Sequence, residues 1–154
     1  MKKKNSTNLA LSIIIAVFAL VAILCCMAPG FDELARGTVY QIMFGVDDWE
    51  TSAVPGLIVV FIFEIFIFVI SLVAAFIKTK ARSYIDILLG AMGLANAILL
   101  LFCRELYCGS NSQVINSGAT ALEFGSGFIV LIIFNLLIVI VSLLLVYLSK
   151  RKED

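Results

Sequence analysis

Histidine is absent from this chain, and with it go the imidazole ligands of most metal centres and the base of a Ser-His-Asp triad. Charge is scarce as well: 14% of the 154 residues are Asp, Glu, Lys or Arg, against about a quarter in an ordinary soluble domain. The four cysteines include no Cys-x-x-Cys pair, so no dithiol redox motif is present, and there is no second cysteine pair at zinc-ligand spacing. Neither of the longer polar stretches carries a phosphate-binding glycine pattern. These absences point away from an enzyme: no catalytic residues, cofactor or metal are expected.

What the chain has instead is apolar length, with 62% of its residues hydrophobic. A hydrocarbon core of about 30 Å takes roughly 20 apolar residues in a helix to cross. Four stretches are long enough, 9–28, 54–77, 84–103 and 127–148. Between them lie only short pieces, with outer loops at 29–53 and 104–126, too small to build a soluble domain. The expectation is an all-α membrane protein, one four-transmembrane-helix up-down bundle over residues 1–154.

Charge distribution orients that bundle. Of the 11 Lys and Arg residues, nine fall at Lys2 to Lys4, at Lys78, Lys80 and Arg82, and at Lys150 to Lys152, all on one side of a four-pass chain. The positive-inside rule makes that side, and both termini, cytoplasmic. The opposite face holds Asp32, Glu33, Asp47, Asp48, Glu50, Glu105 and Glu123 against Arg36 and Arg104. The basic rim suits anionic headgroups, so the lipid bilayer is the expected partner and nucleic acid is not. The first apolar run is longer than a signal peptide's core and ends in Ile23-Leu24-Cys25-Cys26 rather than small residues, which reads as a retained signal-anchor.

Glu64 breaks the second apolar run near its middle, where a carboxylate costs about 2.5 kcal/mol or more unless something uses it. Two amides stand at similar depth, Asn96 in the third run and Asn135 in the fourth. Laying Gly56-Leu57-Ile58-Val59 over Gly127-Phe128-Ile129-Val130 pairs Glu64 with Asn135 and Ser71-Leu72 with Ser142-Leu143. Each pair of polar positions is two helical turns apart and so shares a face. This suggests two related helical hairpins, an arrangement also found in transporters. Small residues surround Asn96, and Gly93-x-x-x-Ala97 has the spacing that lets helices approach closely. Two readings follow for Glu64, Asn96 and Asn135 as an intramembrane polar layer. In one, a neutral Glu64 hydrogen-bonds both amides as interhelical glue; in the other, it exchanges a proton or binds a cation in a translocation site. The lack of a basic partner or a second mid-membrane acid favours glue.

Nearer the ends, Ser83 and Asp86 have capping-box spacing, and Thr51 or Ser52 stands ready to begin the helix that follows at Pro55. Cys25, Cys26, Cys103 and Cys108 all map to the outer side, where Cys103 and Cys108 form the simplest local disulfide. Quinone-linked disulfide oxidoreductases share four helices and outer cysteines, but their paired motif is missing. The first outer loop is the candidate partner surface, through Tyr40, Phe44 and Trp49, for another membrane protein or a second copy of the chain. Aromatics at this depth also anchor a segment to the interface, lidding the bundle.

The lysine-rich start, the signal-anchor, the loop sequence Thr38-Val39-Tyr40-Gln41-Ile42-Met43-Phe44-Gly45 and three further helices together resemble uncharacterised four-pass membrane proteins of low-GC Gram-positive bacteria and their wall-less relatives. That resemblance implies a plasma-membrane location and no particular activity. Claudin-type proteins are similar in topology and in a loop tryptophan, without the paired loop cysteines here. The expected function is a non-enzymatic structural or accessory subunit that packs against membrane partners. The alternative is a small proton-coupled transporter using Glu64.

Overall fold

The computed structural model describes residues 2–31, 37–45, 51–77, 81–111 and 123–150, and among them helices are the only regular elements. Four are long: α1 (Lys2–Cys25), α3 (Pro55–Phe76), α4 (Ala81–Leu101) and α6 (Ser126–Lys150). Two are short: α2 (Val39–Phe44) between α1 and α3, and α5 (Cys103–Ser110) between α4 and α6. Each long helix contains a segment of 19 to 24 residues long and apolar enough to cross a membrane.

The long helices form a closed ring in which α1 packs on α3 and α6, and α4 packs on α3 and α6. Small side chains set the spacing. Ala16, Ala19 and Ala22 turn one stripe of α1 inward, and Gly93 brings α4 against α6. A side chain at Gly93 would begin 3.0 Å from Ile138 Cγ2 and 3.3 Å from the Asn135 carbonyl oxygen. Outward, Ile13, Val17, Phe66, Val73, Ile98, Ile140 and Leu143 leave apolar surface that suits lipid.

The sequence places the end of the first span at Ala28, but α1 stops at Cys25. The chain then tightens into turns, with Met27 N donating to Leu24 O at 3.1 Å and Ala28 N to Cys25 O at 2.9 Å. Pro29 follows, which cannot continue a helix's hydrogen bonding. The strip 26–31 is stitched to two neighbours: Val39 N donates to Ala28 O, Tyr40 N to Cys26 O, and Gly125 N and Gly127 N to Gly30 O and Pro29 O, all at 2.8 to 2.9 Å. Gly125 and Gly127 permit this, since a Cβ at either would lie within 2.8 Å of that backbone.

α2 begins with a full capping box. Thr38 Oγ1 accepts from Gln41 N at 3.2 Å and Gln41 Oε1 accepts from Thr38 N at 3.0 Å. It ends at Gly45, whose φ of +80° favours glycine. Val39, Ile42 and Met43 are buried, so α2 lids one end of the ring with its apolar side down. Beneath it lie Leu57, Val60, Leu100, Phe128 and Leu131, with the Phe31 ring tilted against Phe128 at 5.0 Å and Tyr107 at 5.4 Å between centroids.

α3 departs from expectation at its start. Its N-cap is Val54, with no side-chain cap and Pro55 in the first turn, so neither Thr51 nor Ser52 caps it. Ser52 bonds elsewhere: its backbone N donates to Asn111 Oδ1 at 2.6 Å, tying this loop to the end of α5. Gly109 and Ser110, within the outer loop expected at 104–126, lie inside α5.

Gly93→Val is expected to destabilise the folded state by about 1–3 kcal/mol through overpacking against Ile138. Gly109→Ala, where an added Cβ meets nothing within 4 Å, should leave stability unchanged or slightly raised. Equilibrium unfolding in detergent micelles measures both.

Candidate functional site

The buried face of α3 recurs at alternating three- and four-residue steps, Leu57, Val60, Glu64, Ile67, Ser71 and Ala74. Adding 71 to each number gives Phe128, Leu131, Asn135, Ile138, Ser142 and Leu145, every one buried on α6. The two helices therefore present the same pattern to the ring, and Glu64 and Asn135 hold equivalent places. The short helices follow suit: Leu106 of α5 borders Gly56 at the start of α3, and Val39 of α2 borders Gly127 at the start of α6. This is the geometry expected of two related hairpins facing each other about an axis along the bundle.

At that axis the three polar residues meet, each 0% exposed. Asn135 Nδ2 donates to Glu64 Oε1 at 2.6 Å and to the Leu131 carbonyl at 2.9 Å. Asn96 Nδ2 donates to the same Oε1 at 3.1 Å and to the Val60 carbonyl at 3.4 Å. α3, α4 and α6 are thus joined through one carboxylate oxygen. Just past the end of α1, the Cys26 thiol donates to the Ala22 carbonyl at 3.6 Å. Both amide orientations are fixed, because each nitrogen faces two acceptors. Glu64 Oε2, Asn96 Oδ1 and Asn135 Oδ1 are buried with no hydrogen-bond donor among the described residues.

Arg82 makes a second buried polar cluster toward the start of α4. Its guanidinium donates to the Ala74 carbonyl at 2.9 Å and the Ile77 carbonyl at 3.4 Å, covering the end of α3. It also donates to the Asn8 carbonyl at 2.8 Å and to Ser12 Oγ, holding α1. One arginine therefore joins three helices. Ser83 and Asp86 do not mark the start of α4 as their capping-box spacing suggests. α4 already begins at Ala81, and Asp86 is fully buried with Oδ2 3.8 Å from Arg82 Nε, one turn away on the same face. Arg82 is thus not the rim charge its place in the sequence suggests; its i, i+4 spacing to Asp86 is the sequence signal of an interior pair. Asn8 and Ser12, also buried, carry no such signal, whereas the seven-residue spacing of Ser142 from Asn135 places it on the inward face.

The cysteine pair is corrected as well. Cys103 and Cys108 both lie on α5 and are free thiols. Five residues along a helix separate Cα atoms by about 8–9 Å, beyond the roughly 7 Å limit for a disulfide. Burial pushes the Cys103 thiol up to about 12. At the lid, Tyr40, Phe44 and Phe61 form one aromatic cluster with centroids 4.6 to 5.9 Å apart, Tyr40 and Phe44 each 38% exposed. Trp49, the third residue of the candidate partner surface, lies outside the described residues.

Chemically, the central layer can lock helix pairing, hold a proton on Glu64, or present oxygen atoms to a cation. Among the described residues there is no cluster of three or more His, Cys, Asp or Glu side chains able to hold a metal. Comparison with protein-family models, curated proteins and solved structures finds no match to this chain.

Asn135→Ala is expected to cost about 1–3 kcal/mol, since it removes the shortest donor to a buried carboxyl oxygen. Arg82→Ala removes the buried donors to the Ala74 and Asn8 carbonyls and to Ser12 and takes a cation from beside buried Asp86, and should cost about 3–5 kcal/mol; unfolding in micelles reads both. Thiol alkylation proceeds through the thiolate, about one part in ten thousand at pH 8 for a group near 12. Cys103 should therefore stay unmodified by N-ethylmaleimide at pH 8 in the folded protein and react once it is unfolded, as mass spectrometry of peptides reports.

Proposed function

We propose that this chain is a non-enzymatic multi-pass protein of the plasma membrane, a structural or accessory subunit that packs against membrane partners. In this reading it is an up-down bundle with both termini cytoplasmic and α1 retained as a signal-anchor. The carrying observation is the central layer: Glu64 is sealed at a junction of helices and bonded by the amides of two of them. A carboxyl group used in this way fixes which helices pair and in what register, a role attested for buried polar groups. Among the described residues, surface for contacts with other proteins is offered by the apolar flanks and by the lid, where Tyr40 and Phe44 are exposed beside Phe61. The resemblance to four-pass proteins of low-GC Gram-positive bacteria supports the location.

The second reading, a small proton-coupled transporter using Glu64, is favoured by one observation, the surplus of buried oxygen atoms around that acid. The two readings part on one variant, Glu64→Gln. For a structural subunit, photo-crosslinkers placed at Tyr40 and Phe44 in native membranes should trap the same membrane species in wild type and variant. Wild-type proteoliposomes should show no uptake driven by an imposed proton gradient. Proton-driven uptake by the wild type that Glu64→Gln abolishes, with assembly intact, would establish the transporter instead.

A further inference from the structure

The central layer has more acceptors than donors. Its protein donors are two NH2 groups, and each is fully spent on Glu64 Oε1 and one backbone carbonyl. Three oxygens remain without a donor: Glu64 Oε2, Asn96 Oδ1 and Asn135 Oδ1. Each amide oxygen shares a carbon with a nitrogen already within 3.1 Å of the Glu64 carboxylate, so all three oxygens lie around that carboxylate. Leaving a buried polar atom unsatisfied in an apolar interior is costly, and three in one place is a cluster that calls for a positive partner.

A proton alone does not close this deficit. On Oε2 it would donate to one amide oxygen and leave the other unmet. A divalent ion would replace one uncompensated charge with another of opposite sign, since among the described residues Glu64 is the only acid in the layer and α4 and α6 face it with Asn96 and Asn135. One small monovalent cation satisfies both requirements. Hard cations take carboxylate and amide oxygens, and a single positive charge neutralises the layer. We propose that Glu64, Asn96 and Asn135 form an intramembrane binding site for one small monovalent cation of the sodium class. Its ligands are Glu64 Oε2, Asn96 Oδ1 and Asn135 Oδ1. The ion then completes the junction of α3, α4 and α6. This rests on the structural reading of the layer and adds a ligand to it.

The test uses the full chain in lipid nanodiscs and two readouts. Modification of Glu64 by N,N′-dicyclohexylcarbodiimide, which attacks the protonated carboxyl, is followed by mass spectrometry against sodium concentration at fixed pH, with choline as the ionic-strength control. The rate should fall as 1/(1 + [Na+]/Kd), about tenfold once sodium is about ten times its Kd, and the melting temperature should rise over the same range. Glu64→Gln supplies an amide NH2 where the ion would sit, so its melting temperature should not respond to sodium. Labelling that follows pH but ignores sodium would overturn the proposal in favour of a proton alone. A melting temperature indifferent to both, with Asn135→Ala still destabilising, would overturn the ion site and leave the structural reading standing.

Discussion

A hydrocarbon environment offers no hydrogen bonds, so a carboxyl group within it must find every partner on the protein. Glu64 finds two, the amides of Asn96 and Asn135, and through them one carboxylate oxygen bridges three of the four long helices. The rest of the packing is apolar and slides easily, since lipid chains are as good a solvent for Leu and Ile as another helix is. The bonded layer is different because shifting any of these helices along its axis by one turn would break it. Register in the ring is thus set at its centre. Above and below, apolar clusters fill in: Val60, Leu100 and Leu131 on the lid side, Ile67, Leu89 and Ile138 on the other.

The two ends of the ring are closed by different chemistry. At one end the closure is backbone on backbone. The strip 26–31 bonds to the start of α2 and the approach to α6, and it can do so only because Gly125 and Gly127 have no side chain to hold it away. At the other end it is a single cation: Arg82 donates to the Ala74 and Ile77 carbonyls at the end of α3, and reaches α1 at the same time. Its planar, forked donors suit this task, where a lysine's point charge would not span both helices.

Depth counting on the sequence was enough to pick Glu64, Asn96 and Asn135 as one layer, because helix rise is constant and apolar runs show where each helix starts. The same reasoning misplaced residues near the ends. Arg82 and Asp86 read as rim and cap because their distance from the run's edge is small, yet both are buried, folded under by the contact of α4 with α3 and α1. Cys103 and Cys108 read as a pair because a loop would bring them together, and a helix instead holds them apart. Thr51 and Ser52 read as caps, but their loop is drawn to Asn111 of the other hairpin.

By itself the sequence determined the class of protein, the number of long helices and the depth of their polar residues, since these depend only on composition, run length and a fixed rise per residue. Tertiary structure decided which helices are neighbours and where each side chain's hydrogen bonds go. That includes the bonding of both amides to one oxygen of Glu64, the three oxygens left around it, and the arginine drawn inside. These outcomes depend on how faces rotate against one another, and an apolar run that is hydrophobic all round carries little record of which face turns inward.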